Sequence, residues 1–574
     1  MVAEMTASTA RRTDASLMLL CAFVPAGLAA ACVANVADAA HDAGVARVLG
    51  LGSIPWRALD PMAGVLLTAL PIGTRAARAA LGGALVVAGA GVVLYSVVSG
   101  LLGLCAQTGR LRFAIAAIAT STALVAAPWQ LESASVGGSV TGAFAILFAV
   151  ALTARACART GDAAWAAAFG ALGLAVGQEP LAGASSLGSC AVLVGASPSG
   201  RRALAALWKD RKRWVLGSLL AGLSPFVLAL GRALASGESL PAALATGWNG
   251  ERGALGVGSL TAFAHTEVGP VLGALAIGGV TLGMLVVPAR PMTAALSVLV
   301  ALGLGCGLVG APVGPARFGS PLLAAYAAAC ALAAVAMQAA VRAVAQTRAA
   351  FAPLSAAMIV VLEAALPLAT ADDALVRSQT RTSEAAAIWN DTVFGSMRPT
   401  SVVLVSEPLI YERAVVARAQ GALRSDLIVL PAFAQGGGPW LPFARDARLV
   451  PLWRDLALSG SPTEASLSSL ASVRPLAMVY QSRWGRAIGR HLVPLALFDA
   501  FEPEPRGAID RRRAFDVYDA SRKRLATATR SEPELAAAAM VLLRARALLM
   551  ADLGGDRDLA ERAARDVLAF QPEP

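Results

Sequence analysis

AALGGALVVAGAGVVLYSVVSGLLGL, residues 79–104, decides the fold: it runs for 26 residues without a charged side chain. An α-helix rises 1.5 Å per residue, so about 20 apolar residues cross a hydrocarbon layer of about 30 Å. Outward from this stretch, similar runs lie at 16–37, 112–128, 135–154, 163–178, 181–197, 214–231, 268–288, 292–311, 320–341 and 350–369, giving about eleven candidate spans. The pair flanking Gln178-Glu179-Pro180 reads either as two spans or as one re-entrant hairpin. Composition agrees, with 57% apolar residues, 15% charged residues and mean hydropathy +0.64, where a soluble domain carries about 25% charged residues.

The net charge of +11 is unevenly placed: residues 1–369 hold 22 basic and 13 acidic residues, and residues 370–574 hold 26 and 24. The excess therefore belongs to the apolar part and bears on topology. A nucleic-acid footprint needs a basic soluble face, which the near-neutral tail does not offer. If the spans alternate, 15 loop cations (Arg11, Arg12 and Arg201 to Arg213 among them) fall on one side and seven on the other. The positive-inside rule then places the N-terminus in the cytoplasm of an inner-membrane protein, and an odd span count places the C-terminal part outside. The first apolar segment follows Arg11-Arg12 like a signal peptide, but at about 22 residues it exceeds a signal core and reads as a retained span. The seven cysteines lie in or beside apolar segments without ligand spacing and read as packing thiols.

From residue 371 the pattern becomes charged and punctuated. Residues 401–406 read as a buried strand, 408–424 as an amphipathic helix, 426–430 as a second strand and 475–480 as a third, the first three forming a βαβ unit. Residues 532–551 and 556–570 read as a helical hairpin resembling half a tetratricopeptide unit. The expected architecture is an α-helical polytopic membrane domain (1–370), a smaller α/β extracytoplasmic domain (371–530) and a terminal hairpin (531–574).

Acid–base or metal-assisted chemistry needs carboxylates or histidine near a cavity. On the outer side these are Asp38, His41, Asp42, Asp60, Glu132, Glu179, Glu238, Glu251, His265 and Glu267. Asp38 and Asp42, four residues apart, share a face if the first helix extends outward; beside His41 they suit a divalent cation or a general base, or else are solvated loop charges. Glu363 lies within the last span, where it either marks function or snorkels to the surface.

Four stretches resemble a known family. They are Asp42-Ala43-Gly44-Val45 with Leu49-Gly50-Leu51-Gly52-Ser53-Ile54-Pro55; Ala127-Pro128-Trp129; Gly173 to Glu179; and Glu407, Tyr411 and Arg424-Ser425-Asp426-Leu427 in the tail. Their order is similar to that in bacterial relatives of the transmembrane protein O-mannosyltransferases, multispanning glycosyltransferases of GT-C fold. The resemblance implies a polyprenyl-phosphate sugar donor, an exported protein or glycan as acceptor, and a pocket opening away from the cytoplasm. It implies Asp42, with Glu132 and Glu179, as catalytic carboxylates, and His41, Arg47, Arg57 and Trp129 as substrate-binding residues. The family motif's Glu is Val45 here, its His is Ser53, and its paired His are Gln178-Glu179. Two readings stay open: Asp42 suffices with Glu132 or Glu179 compensating, or the chain is a non-catalytic scaffold or binding protein of the same fold. Transport is the third class, but the spans show no clear inverted repeat and are nearly free of charge.

Overall fold

The computed structural model describes residues 2–35, 56, 58–59, 66–71, 75–105, 110–134, 139–159, 161–235, 239–241, 243–244, 263–309, 319–347, 365, 367–368, 370–378, 384–419, 421–432, 446–529, 533–553 and 557–569. Its apolar runs are helical because a helix satisfies every interior backbone N–H and C=O without water. They are α1 (Val2–Asn35), α2 (Arg75–Leu104), α3 (Arg110–Val125), α4 (Ala127–Ser133), α5 (Val140–Arg159), α6 (Asp162–Gln178), α7 (Pro180–Ala196), α8 (Pro198–Ala235), α9 (Gly269–Leu285), α10 (Arg290–Val309) and α11 (Ser320–Thr347). Among the described residues six helices are long and apolar enough to cross a membrane, or seven if the bent pair α3–α4 is one span; Pro180–Ala196 and Arg290–Cys306 are shorter apolar helices. The protein is thus a multi-pass membrane protein. The expected count of about eleven spans is not reached among these helices, and most of the run 350–369 lies outside the described residues.

Two departures from the sequence reading have local causes. Residues 112–128 do not form one rod: the chain bends by 58° at Ala126, and Pro128, which lacks an N–H, falls at the start of the new helix α4. The cationic stretch before residue 214 is not a loop but the first part of α8, which kinks at Arg211 (φ −138°).

Small residues set the helix spacing. A Cβ on Gly91 of α2 would lie 2.1 Å from the Cys21 carbonyl oxygen of α1, and one on Gly222 of α8 would lie 2.0 Å from that of Gly170 in α6. The α1–α2 pair is antiparallel, with Tyr95 Oη donating to Asp14 Oδ1 (2.7 Å) toward one end and Cys32 and Val33 packing with Ala80 at the other. Central α11 is buried nearly throughout, while α8 and α9 turn Leu220, Leu228, Val271 and Ile277 outward.

The tail contributes α12 (Glu384–Val393), β1 (Val402–Val405), α13 (Pro408–Ala419), β2 (Ile428–Pro431), α14 (Val450–Ser459), α15 (Glu464–Ala471), β3 (Leu476–Met478), α16 (Gly485–Arg490), β4 (Leu492–Leu495), β5 (Phe498–Phe501), α17 (Ala508–Thr529), α18 (Pro533–Leu553) and α19 (Arg557–Ala569). The sheet order is β2-β1-β3-β5-β4, with β1 parallel to β2 and β3, and with β5 antiparallel to β3 and β4. The βαβ unit is where the sequence indicates; the β4–β5 hairpin is an addition to that reading. Arg424 and Asp426 form a two-pronged pair (3.0 and 2.6 Å), and Asp426 also accepts the Thr400 N–H (2.8 Å), stapling the loop before β2 to the one before β1.

Helices α18 and α19 share one hydrophobic core with the sheet, through Leu535, Leu542, Leu549, Leu559 and Ala563. Arg546 of α18 is buried there: its Nε lies 3.0 Å from Asp499 Oδ1, and its Nη2 donates to the carbonyls of Ala496 and Phe498. Val416 of α13 packs with Cys32, Val33, Ala80 and Ala134, so the tail sits at the end of the bundle where α1 finishes and α2 begins. Arg377 reaches Glu267, in the π-helical turn ahead of α9, at 2.7 Å from the same side.

Candidate functional site

The short helix α4 carries two of the sequence-derived candidates, Trp129 and Glu132, and all seven of its residues are buried. Gly83 of α2 admits it, since a Cβ there would fall 1.9 Å from the Ser133 carbonyl oxygen. Trp129 is fully buried and donates its indole N–H to the Leu323 carbonyl in α11 (3.2 Å). Glu132 is 1% exposed, and its Oε2 accepts the backbone N–H of Ser139, the residue immediately before α5, at 3.0 Å.

A chain of contacts leads from Glu132 to the second candidate carboxylate. The Ser139 carbonyl accepts the hydroxyl of Ser320, the first residue of α11, at 2.8 Å. Ser320 lies against Gly142 in the first turn of α5: a Cβ at Gly142 would be 2.3 Å from Ser320 Oγ and 3.2 Å from Glu179 Cδ. Glu179, 2% exposed, occupies the break between α6 and α7 in an extended conformation (φ −151°, ψ 140°), and Pro180 opens α7. The first turn of α5 thus gathers both carboxylates. The N–H groups at a helix start lack intrahelical partners, and they and the positive end of the dipole favour negative charge beside them.

This cluster lies at the bundle end that carries the tail, because Glu132 is in the last turn of α4, two residues before Ala134, which packs beside Val416. Cationic residues mark the other end: Arg342 donates to the Cys105 carbonyl (2.9 Å), and Arg211 pairs with Asp162.

Asp42, His41, Arg47 and Arg57 lie outside the described residues, as do Asp38, Asp60, Glu238, Glu251 and Glu363. His265 and Glu267 occupy the π-helical turn before α9, Glu267 being engaged by Arg377. Among the described residues no three His, Cys, Asp or Glu side chains converge as a metal site. Ser139, Gly142 and Ser320 escaped the sequence reading. A serine just before an apolar run is a helix-start signal, which both serines carry, but nothing local pairs them across 181 residues.

No family model matches the sequence, and no curated protein matches it. Among solved structures the chain is similar to ArnT from Cupriavidus metallidurans bound to undecaprenyl phosphate, with 12% identity and a TM-score of 0.52 over 86% of this chain and 97% of that one. A looser likeness, TM-score 0.39 at 12% identity, covers 74% of this chain and 61% of the archaeal oligosaccharyltransferase AglB from Archaeoglobus fulgidus, solved with an inhibitory peptide and a dolichol-phosphate. The fold is GT-C-like.

Proposed function

We propose that the chain is a membrane glycosyltransferase that moves a sugar from a polyprenyl-phosphate donor to an exported protein or glycan. The observation that carries this reading is the burial of Glu132 and Glu179 around the first turn of α5, at the bundle end bearing the tail. The likeness to ArnT, solved with undecaprenyl phosphate, supports the donor class. In the reaction the acceptor hydroxyl bonds to the anomeric carbon as the bond from that carbon to the phosphate oxygen breaks. The phosphate leaves with the electron pair, and the hydroxyl proton passes to a carboxylate within hydrogen-bond reach. Glu179 and Asp42 are the candidates for that base. Glu132, held by the Ser139 N–H, sets the local field. Arg47 and Arg57 supply positive charge for the donor phosphate, and His41 is next to Asp42 in sequence. On this reading the tail and the site face away from the cytoplasm.

Val45 and Ser53, where the resembled motifs carry Glu and His, favour a second reading as a non-catalytic scaffold of the same fold. The test is transfer by the full chain, reconstituted in vesicles with a panel of polyprenyl-phosphate sugars. Glu179→Gln or Asp42→Asn is expected to lower kcat by about 10²–10⁴, the share a general base supplies. Unchanged rates in both variants would remove the assigned base, and folded protein inert toward every donor would select the scaffold.

A further inference from the structure

The tail holds a cavity of about 280 Å³, far in sequence from the membrane carboxylates, lined by Arg490, Arg506 and Arg511 together with Met550, Leu553 and Leu559. Three separate elements bring the arginines together: the end of α16, the segment after β5 and the first turn of α17. Backbone contacts fix the arrangement. The Arg490 carbonyl accepts both the Arg506 N–H (2.9 Å) and Arg511 Nη2 (2.9 Å), while Arg511 Nε donates to the Leu492 carbonyl (3.1 Å).

The charges around this wall do not balance. Arg511 is buried, and Asp499, a carboxylate acting on it, is already paired with Arg546 at 3.0 Å. Arg506 shares Glu502 with Arg398 (3.5 and 3.2 Å). Asp510 also acts on Arg511. Arg490 has no ion-pair or hydrogen-bond partner for its guanidinium among the described residues. Five guanidiniums in and beside the wall therefore share three carboxylates, and Ala508, the first residue of the 22-residue helix α17, lines the same cavity, so the positive end of that helix borders it. Burial also pushes the Arg511 guanidinium below its ordinary value, with Asp499 and Asp510 pulling it back up, so an arriving anion would relieve a desolvated cation.

We propose that this cavity binds a small oxyanion, a phosphate ester or a carboxylate, carried on a compact apolar body. The arginines and the α17 N-terminus take the charge, and Met550, Leu553 and Leu559 cover the apolar part. The proposal is independent of sugar transfer.

The test is isothermal titration of the full chain in detergent with phenyl phosphate, benzoate and inorganic phosphate. Saturable binding of phenyl phosphate or benzoate is expected, tighter than that of inorganic phosphate. Arg490→Gln with Arg506→Gln should weaken it at least about tenfold, since two charge-assisted contacts are lost. Ala508→Glu should weaken it too while leaving the unfolding temperature intact, because a carboxylate suits a helix N-terminus. Arg483→Gln, exposed on the same domain, should change nothing. A preference for phenyl phosphate identifies a phosphate ester, and a preference for benzoate a carboxylate. The proposal is overturned if none of the three probes gives saturable binding, or if affinity is unchanged in both the double arginine variant and Ala508→Glu.

Discussion

The hydroxyl of Ser320 donates to the backbone carbonyl of Ser139 at 2.8 Å, while the N–H of that same Ser139 is held by Glu132 at 3.0 Å. One residue thus ties three helices together: α11 through Ser320, α4 through Glu132, and α5, which begins directly after it. Both contacts are buried, where an unmade hydrogen bond is expensive.

Gly142 has no room for a side chain beside this junction. Gly142→Ala is expected to displace Ser320 and Glu179, to destabilise the protein by about 1–3 kcal/mol as overpacking does, and to depress the proposed sugar transfer. Ser320→Ala removes one of the two donors to the Ser139 carbonyl, which still accepts the Ala143 N–H (3.0 Å), and should cost about 0.5–1.5 kcal/mol. Thermal unfolding in detergent checks both; unchanged melting of Gly142→Ala would contradict the packing described.

The contact between α6 and α8 rests on glycine. A Cβ at Gly173 would lie 2.2 Å from the Leu219 carbonyl oxygen, and Gly222 is equally tight against Gly170. Gly173→Ala and Gly222→Ala should each lower stability by about 1–3 kcal/mol. Gly217, whose Cβ would meet nothing within 4 Å, should accept alanine without loss. Equal melting of all three variants would refute the close approach.

Arg546 and Asp499 form a buried pair. Burial pushes the Asp499 carboxyl up, and Arg546 pulls it back down. Arg546→Met strands the carboxylate and should destabilise the tail by about 3–5 kcal/mol, whereas Arg546→Met combined with Asp499→Leu should recover much of that loss. Limited proteolysis of the tail across a temperature ramp separates the variants. A double variant no better than the single would show that the pair acts through shape alone.

Asp426 is held at about 2 by its two-pronged contact with Arg424 and by the Thr400 N–H. A carboxylate with a depressed folded value binds fewer protons in the folded state than in the unfolded one. Its contribution is therefore fully present above the ordinary value of 3.8 and is lost as pH falls through about 2. The unfolding midpoint of the tail should drop over that window, and Asp426→Asn should flatten this component. A variant with the wild-type pH profile would exclude the pair as its source.

Much of the architecture is legible in sequence, because lipid burial demands long apolar helices and the βαβ unit announces itself by buried runs. The β4–β5 hairpin is not legible. Its two-residue turn is Ala496-Leu497, and Ala496 takes φ +52° without the Asn-Gly or Gly signal that such turns usually show; Pro494 within β4 argues against a strand as well. Arg546 compensates from 50 residues away by donating to the Ala496 carbonyl, which no local window can see. At the site, Glu132 and Glu179 stand out as acids among apolar neighbours. Their convergence on α5 depends instead on a missing side chain at Gly142 and on a serine 181 residues from its acceptor. The span count is hard to read for a similar reason: several helices of this bundle are alanine-rich and only 16–17 residues long.

Both outer strands of the sheet contain a proline, Pro431 in β2 and Pro494 in β4. Proline cannot donate to a neighbouring strand, so each border is poorly suited to recruiting another chain by backbone pairing. The tail is thereby guarded against stacking with its own copies in a crowded compartment. Any macromolecule that engages it has to grip helices or loops, leaving β-augmentation to other folds.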